Sequence, residues 1–169
     1  MFRLTLACLA AAAVLASCGD DGETSEAAAG EPIPNVTSDE ESAPPKAKPA
    51  RKGAIVRVVD SQFGRVVADG QGEALYLFDK EQGERSRCYG ECAEVWPPLL
   101  AKGKPRAGSG ARKGLLGTTR RRNGKLQVTY AGHPLYYFVD DSPGQILCHN
   151  VAEFGGLWLV VKPNGTAVS

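Results

Sequence analysis

Six stretches of the chain are rich in β-branched and aromatic residues and bounded by Gly, Asn or Pro: IVRVV (55–59), RVVA (65–68), ALYLF (74–78), KLQVTY (125–130), PLYYFV (134–139) and LWLVV (157–161). This pattern predicts strands. In ALYLF and PLYYF both alternating faces are apolar, with Tyr76 and Phe78 on one side and Leu75 and Leu77 on the other, which predicts central strands covered on both faces. The pair Asn123-Gly124 predicts a two-residue hairpin turn with positive φ at both positions, and PNG at 163–165 a similar turn. Helix is expected only as a short turn around Cys92 to Val95, because Pro97 and Pro98 stop it after Trp96.

The first fifty residues lack this pattern. Arg3 precedes an apolar run, Leu4 to Leu15, too short to span a bilayer stably, so residues 1–17 are expected to be an export signal. The run ends in LASC (15–18), which resembles the bacterial lipobox and makes Cys18 the expected lipidation site; Cys8 then leaves with the signal. Residues 18–52 are acidic first and basic and Pro-rich last, with hardly a large apolar side chain. No core can form there, and the segment is expected to be a solvated tether with a reach of about 30 Å. Residues 53–169 remain for one domain.

That domain repeats itself. LYLFDKEQGERSRC (75–88) and LYYFVDDSPGQILC (135–148) share the spacing from Leu-Tyr to Cys. A shift of sixty residues aligns Gly64 with Gly124, Val66 with Leu126, Tyr76 with Tyr136, Phe78 with Phe138, Glu81 with Asp141 and Cys88 with Cys148 without a gap. Beyond the cysteines, CAEVW (92–96) echoes VAEFGGLW (151–158), so Trp96 and Trp158 are expected at related sites. Two copies are too few for a solenoid, which normally needs three or more to cover its faces. The expected fold is all-β with little helix: a compact single domain of two pseudo-symmetric antiparallel β repeats, about 55–100 and 115–162.

The duplicated Tyr-x-aromatic-x-x-carboxylate signature, joined to CYGECAEVWPPLL, LLGTT, QVTYAGHPLYYF and EFGGLWLVV, resembles the bacterial lipoproteins defined by a duplicated Yx(FWY)xxD motif, the secreted repeat family. The resemblance covers nearly all of residues 60–165. Two departures stand out: Glu81 replaces the first Asp, and ILCHN (146–150) replaces the family's common Gly-Gln-Gly stretch, adding Cys148. The resemblance implies a membrane-anchored extracytoplasmic address and an architecture, but no reaction. It also pairs Cys88 with Cys92, and Gly90 between them gives a bend that a bridge could use. The rival is Cys88 with Cys148, repeat-equivalent residues that could meet near a pseudo-twofold axis.

The same atoms offer an alternative chemistry. Cys88, Cys92 and Cys148 with His133 or His149 would form a nitrogen and sulfur set suited to zinc or copper, and hence a metal-binding or redox accessory role. The first expectation remains a non-enzymatic binding or envelope-interaction module without a cofactor. For Glu81 and Asp141 the expected role is structural, fixing each strand's exit by hydrogen bonds in the following turn, rather than acid and base work.

Charge adds one more feature. From Val95 to Val139 there is no Asp or Glu but nine Lys and Arg. Arg120, Arg121, Arg122 and Lys125 cluster at the hairpin tip, and the Gly-rich loop 101–114 is expected to be mobile. Such a field suits anionic envelope polymers or lipids as partners; nucleic acid is not expected outside the cytoplasm.

Overall fold

A computed structural model describes residues 51–169. The expected export signal, Cys8, the expected lipidation site Cys18 and the expected tether before Arg51 lie outside the described residues. Among those described, no helix is long and apolar enough to cross a membrane.

The first repeat opens with a hairpin of β2 (Ile55–Ser61) and β3 (Gly64–Asp69), in register from Val56 opposite Asp69 to Ser61 opposite Gly64. It continues through β4 (Tyr76–Phe78), the five-residue α1 (Glu91–Val95), β5 (Leu100–Lys102) and β6 (Arg106–Ala107). The second repeat opens with the hairpin of β7 (Leu116–Arg120) and β8 (Leu126–Tyr130), followed by β9 (His133–Pro134), β10 (Val151–Glu153) and β11 (Gly156–Val160). β1 (Arg51–Lys52) runs parallel to β5. Three small sheets result, ordered β1-β5-β8-β7 with β9 also on β8, β10-β11-β4, and β3-β2-β6.

The seam between the halves is centred on one reciprocal pair. Tyr76 N–H donates to Tyr136 O at 2.9 Å, and Tyr136 N–H returns the bond to Tyr76 O at 3.0 Å. On either side the same pairing recurs: Val160 stands opposite Tyr76 and Trp158 opposite Phe78, while Pro98 bridges Tyr136 and Tyr137 N–H donates to Pro97 O at 2.8 Å. Each half therefore lays its tryptophan segment against the other half's aromatic strand. Because side chains alternate across a strand, the stitched strands divide the core in two. Tyr76, Phe78, Tyr136, Phe138, Trp96 and Trp158 fill one cluster, and Leu75, Leu77, Leu135 and Tyr137 enter the other.

Four expectations need correction. PLYYFV is not a continuous strand: β9, paired with β8, ends at Pro134, and the residues after it lie along the segment carrying Pro97 and Pro98, which have no N–H to return to a ladder. Asn123-Gly124 is not a two-residue turn. Arg121 N–H donates to Lys125 O at 2.9 Å, only Gly124 has positive φ (77°), and the Asn123 side chain instead accepts the Lys125 N–H at 3.2 Å. Loop 101–114 is tied down, not loose, since β6 pairs with β2 and Gly108 N–H donates to Val56 O at 2.7 Å. The gapless shift of sixty also fails within the hairpins: Val67 and Val128, sixty-one apart, donate to Val161 O and Leu99 O and accept from Leu75 and Leu135 respectively. The longer β7–β8 turn adds a residue that the shorter segment leading to Leu135 removes.

Candidate functional site

The signature residues meet across the repeats. The Tyr76 hydroxyl donates to Asp141 Oδ2 at 2.5 Å, and the Tyr136 hydroxyl donates to Glu81 Oε1 at 2.6 Å. Each carboxylate also caps its own following turn six residues on: Arg87 N–H donates to Glu81 Oε1 at 2.5 Å and Leu147 N–H to Asp141 Oδ1 at 2.9 Å. Glu81 and Asp141 are thus buried cross-links, and neither lines a described cavity. Such an arrangement fixes strand exits as the sequence implies, but it exchanges the partners between halves. Spacing within one repeat gives no sign of that exchange.

Burial and the Asp141 hydrogen bond push the Tyr76 hydroxyl far above its ordinary range, against a hydrogen bond from the Cys148 backbone. Burial and the Glu81 charge do the same for Tyr136. The Glu81 carboxyl is itself held above its ordinary value by burial, which outweighs the hydrogen bonds from Tyr136, Arg87 and Cys88 and the charge of Arg121. Its second oxygen, Oε2, is buried without a hydrogen-bond partner.

Above the tyrosines runs a column of rings drawn alternately from the two halves. Phe78 stacks on Trp158 (4.3 Å, 4°), Trp158 on Trp96 (4.1 Å, 1°), and Trp96 packs tilted against Phe138 (5.0 Å, 44°). Tyr76 meets Trp96 edge-on at 5.1 Å and Tyr136 meets Trp158 edge-on at 5.2 Å. Burying rings of this size removes about 150–250 Å² each, worth at most about 4–6 kcal/mol apiece. The symmetry stops at the indole nitrogens. Trp96 Nε1 donates to Glu153 Oε2 at 2.9 Å, whereas Trp158 Nε1 is buried without a hydrogen-bond partner.

The cysteines resolve in favour of the first pairing. Cys88 and Cys92 form a disulfide with Cα atoms 5.3 Å apart, so the rival Cys88–Cys148 bridge does not form; Cys148 is buried outside any disulfide. Gly90 carries the bend at φ 57°, and its repeat equivalent Asn150 adopts the same left-handed conformation at φ 61°, which Asn tolerates better than most residues. The alternative set for zinc or copper is not assembled. Two of its sulfurs are joined to each other, His133 lies half-buried in β9, and His149 uses Nδ1 to accept the Val160 N–H at 3.3 Å while its ring packs on Phe63. Burial lowers the pKa of His149. Among the described residues, no group of three His, Cys, Asp or Glu is placed to hold a metal ion.

The basic residues do converge. Arg120, Arg121 and Arg122 at the β7–β8 tip face Arg85, Ser86 and Arg87 from the turn before the disulfide and Tyr89 from within its loop, enclosing an open cleft of about 530 Å³. Lys125 does not line it. Arg121 is the exception to the expected solvated cluster, being buried at 5 % exposure and donating to Gln127 Oε1 and Cys88 O, each at 2.6 Å. Its guanidinium and that of Arg122 lie 4.4 and 4.5 Å from the centre of the Tyr89 ring. Tyr89, Arg85 and Arg87 were not singled out in the sequence, because they belong to the other repeat and are far away along the chain. A second hollow of about 270 Å³ lies by Asp69, Arg106 and Tyr137.

Residues 57–100 and 117–162 each match the family described as "Secreted repeat of unknown function". The chain belongs to this secreted repeat family. It matches no curated protein and no solved structure. The two matched stretches of the secreted repeat correspond to the two halves stitched at Tyr76 and Tyr136, and the family description places the protein outside the cytoplasm without assigning it a reaction.

Proposed function

We propose that the protein is a non-enzymatic binding module of the cell envelope. An export signal (1–17) delivers it, acylation of Cys18 holds it on a membrane, and the tether lets the β domain stand clear of the bilayer. Two acyl signals at about 0.8 kcal/mol per buried methylene make such an anchor durable. The domain engages anionic envelope polymers or lipids.

The observation that carries this reading is the cleft, where five guanidiniums gather and none of the lining residues is acidic. Like charges so placed raise the local potential and attract polyanions, an effect that weakens as salt rises. The rest of the molecule supports a scaffold role. Buried side-chain hydrogen bonds from Tyr76 to Asp141, Tyr136 to Glu81 and Tyr137 to Asp69 join the repeats and support the frame that carries the cleft.

Binding of the full chain to anionic polymers and vesicles, measured at low and high salt, tests the reading. It expects binding at low salt that falls steeply between about 50 and 500 mM salt. Salt-independent binding, or none, contradicts it. For the anchor, Cys18→Ala is expected to move the protein from the membrane fraction to the soluble fraction. Retention in the membrane fraction contradicts lipidation.

A further inference from the structure

The duplication supplies an internal comparison for the basic cleft. It lies between the turn 82–89 of the first repeat and the β7–β8 tip of the second. The equivalent place, between the turn 142–149 and the β2–β3 tip, is lined by Asp60, Ser61, Gln145 and Ile146 among others and holds only about 10 Å³. There Gln62 Nε2 donates to Ile146 O at 3.1 Å. Phe63, next in the tip, packs edge-on at 4.5 Å against His149, which stands where Tyr89 stands in the other half. The same scaffold therefore closes where its tip carries Gln62 and Phe63, with no arginine in its lining, and stays open where the lining carries arginines.

The open copy is built as well as charged. Arg121 forms a fixed floor, its guanidinium held by Gln127 and the Cys88 carbonyl and packed over Tyr89 with that of Arg122. Ser86 is held by its own bond to Gln127 Oε1 at 2.5 Å. Arg85, Arg87, Arg120 and Arg122 are exposed around this floor. Guanidinium groups present planar forks of donors that match the oxygens of a phosphate two at a time.

We infer that this cleft is a binding site for a phosphodiester polymer, opened in the first-repeat turn and closed in its twin. The inference rests on the proposed anion-binding function and assigns it a place and a ligand chemistry. A polymer fits better than a bilayer, because a strand can lie within a recess whereas a planar headgroup layer meets only protruding side chains. Several phosphates on one strand can also meet several arginines at once.

The test uses the full chain, with poly(glycerol phosphate), polyglutamate and phosphatidylglycerol vesicles as probes, and two variants that each remove two positive charges. Arg85→Ser with Arg122→Ser alters the cleft; Lys102→Ser with Lys104→Ser alters basic residues outside its lining. The cleft variant is expected to bind poly(glycerol phosphate) roughly 30-fold more weakly at low salt, and the control to change by no more than about twofold. Equal losses in both would overturn the cleft while leaving general anion binding intact. No binding by the unaltered chain would overturn both. Polyglutamate binding as tightly would overturn the phosphate assignment, and vesicles binding more tightly than the polymer would overturn the polymer. Arg87→Leu, which copies Leu147 of the closed turn, gives a second variant should the double replacement fail to fold; a loss of about fivefold is expected, and no loss counts against the site.

Discussion

Tyr76 and Tyr136 exchange both backbone hydrogen bonds, at 2.9 and 3.0 Å, so the same residue of the two repeats is paired with its own copy. A reciprocal pair of this kind defines a local twofold relationship, and the side chains obey it. Each hydroxyl crosses to the other repeat's carboxylate, and each ring meets its own repeat's tryptophan edge-on. The repeat is therefore a half-core that is completed by its copy.

Glu81 gives this core an unusual pH dependence. Its carboxyl is held above the ordinary value of 4.5 by burial, so the folded state binds a proton more readily than the unfolded one. Its contribution to stability is fully present below about pH 4.5 and is lost as the pH rises through the raised value. Glu81→Gln keeps an acceptor for Tyr136 but cannot titrate. Urea unfolding across this window is expected to show the variant gaining on the parent as the pH rises, and a constant difference contradicts the assignment.

The two buried tyrosines ionise at higher pH than an exposed phenol. Burial and the facing carboxylates raise both, so their ionisation is linked to unfolding in alkali. Of the five tyrosines in the chain, two are expected to ionise only as the fold is lost. Ultraviolet absorbance and circular dichroism followed together through an alkaline titration check this. Complete ionisation with the near-ultraviolet dichroism intact would count against it.

Replacing Cys88 and Cys92 by Ser opens a short loop and is expected to cost about 2 kcal/mol in the entropic model. Cys148, buried beside the same cluster, is expected to resist alkylation in the native state and to react once the protein is unfolded without reductant. Peptide mapping that places the bridge at Cys148 would contradict the pairing.

Arg121 is expected to behave as a core residue despite its place in a basic cluster. Arg121→Ala removes the donor to the Cys88 carbonyl and one of the two donors to Gln127 Oε1, Ser86 being the other, and should cost about 2 kcal/mol. The exposed Arg120→Ala should stay within about 0.5 kcal/mol. Equal effects measured by thermal unfolding would contradict the burial.

Much of this was legible along the chain. Most of the strands, the duplication, the short helix before Pro97 and the Cys88–Cys92 bridge follow from local pattern or from the family signature. Other features depended on contacts between distant segments. β5 and β6 are only three and two residues long, too short to show a period, so only their pairing with β8 and β2 reveals them. The partner exchange of Tyr76 and Tyr136 is silent in sequence, because a tyrosine and a carboxylate five residues on in either repeat satisfy the same spacing. The cleft was only half visible, since Arg120 to Arg122 stand out as a run while Arg85, Arg87 and Tyr89 are dispersed among ordinary turn residues.

Double-mutant cycles on the signature residues test the exchange between repeats most directly. Tyr76→Phe combined with Asp141→Asn, and Tyr136→Phe combined with Glu81→Gln, should each show a coupling of about 1.5 kcal/mol in urea unfolding, with Tyr76→Phe and Glu81→Gln additive within about 0.5 kcal/mol. Strong coupling of Tyr76 with Glu81 and none with Asp141 would mean that each repeat satisfies itself, and would contradict the exchanged core.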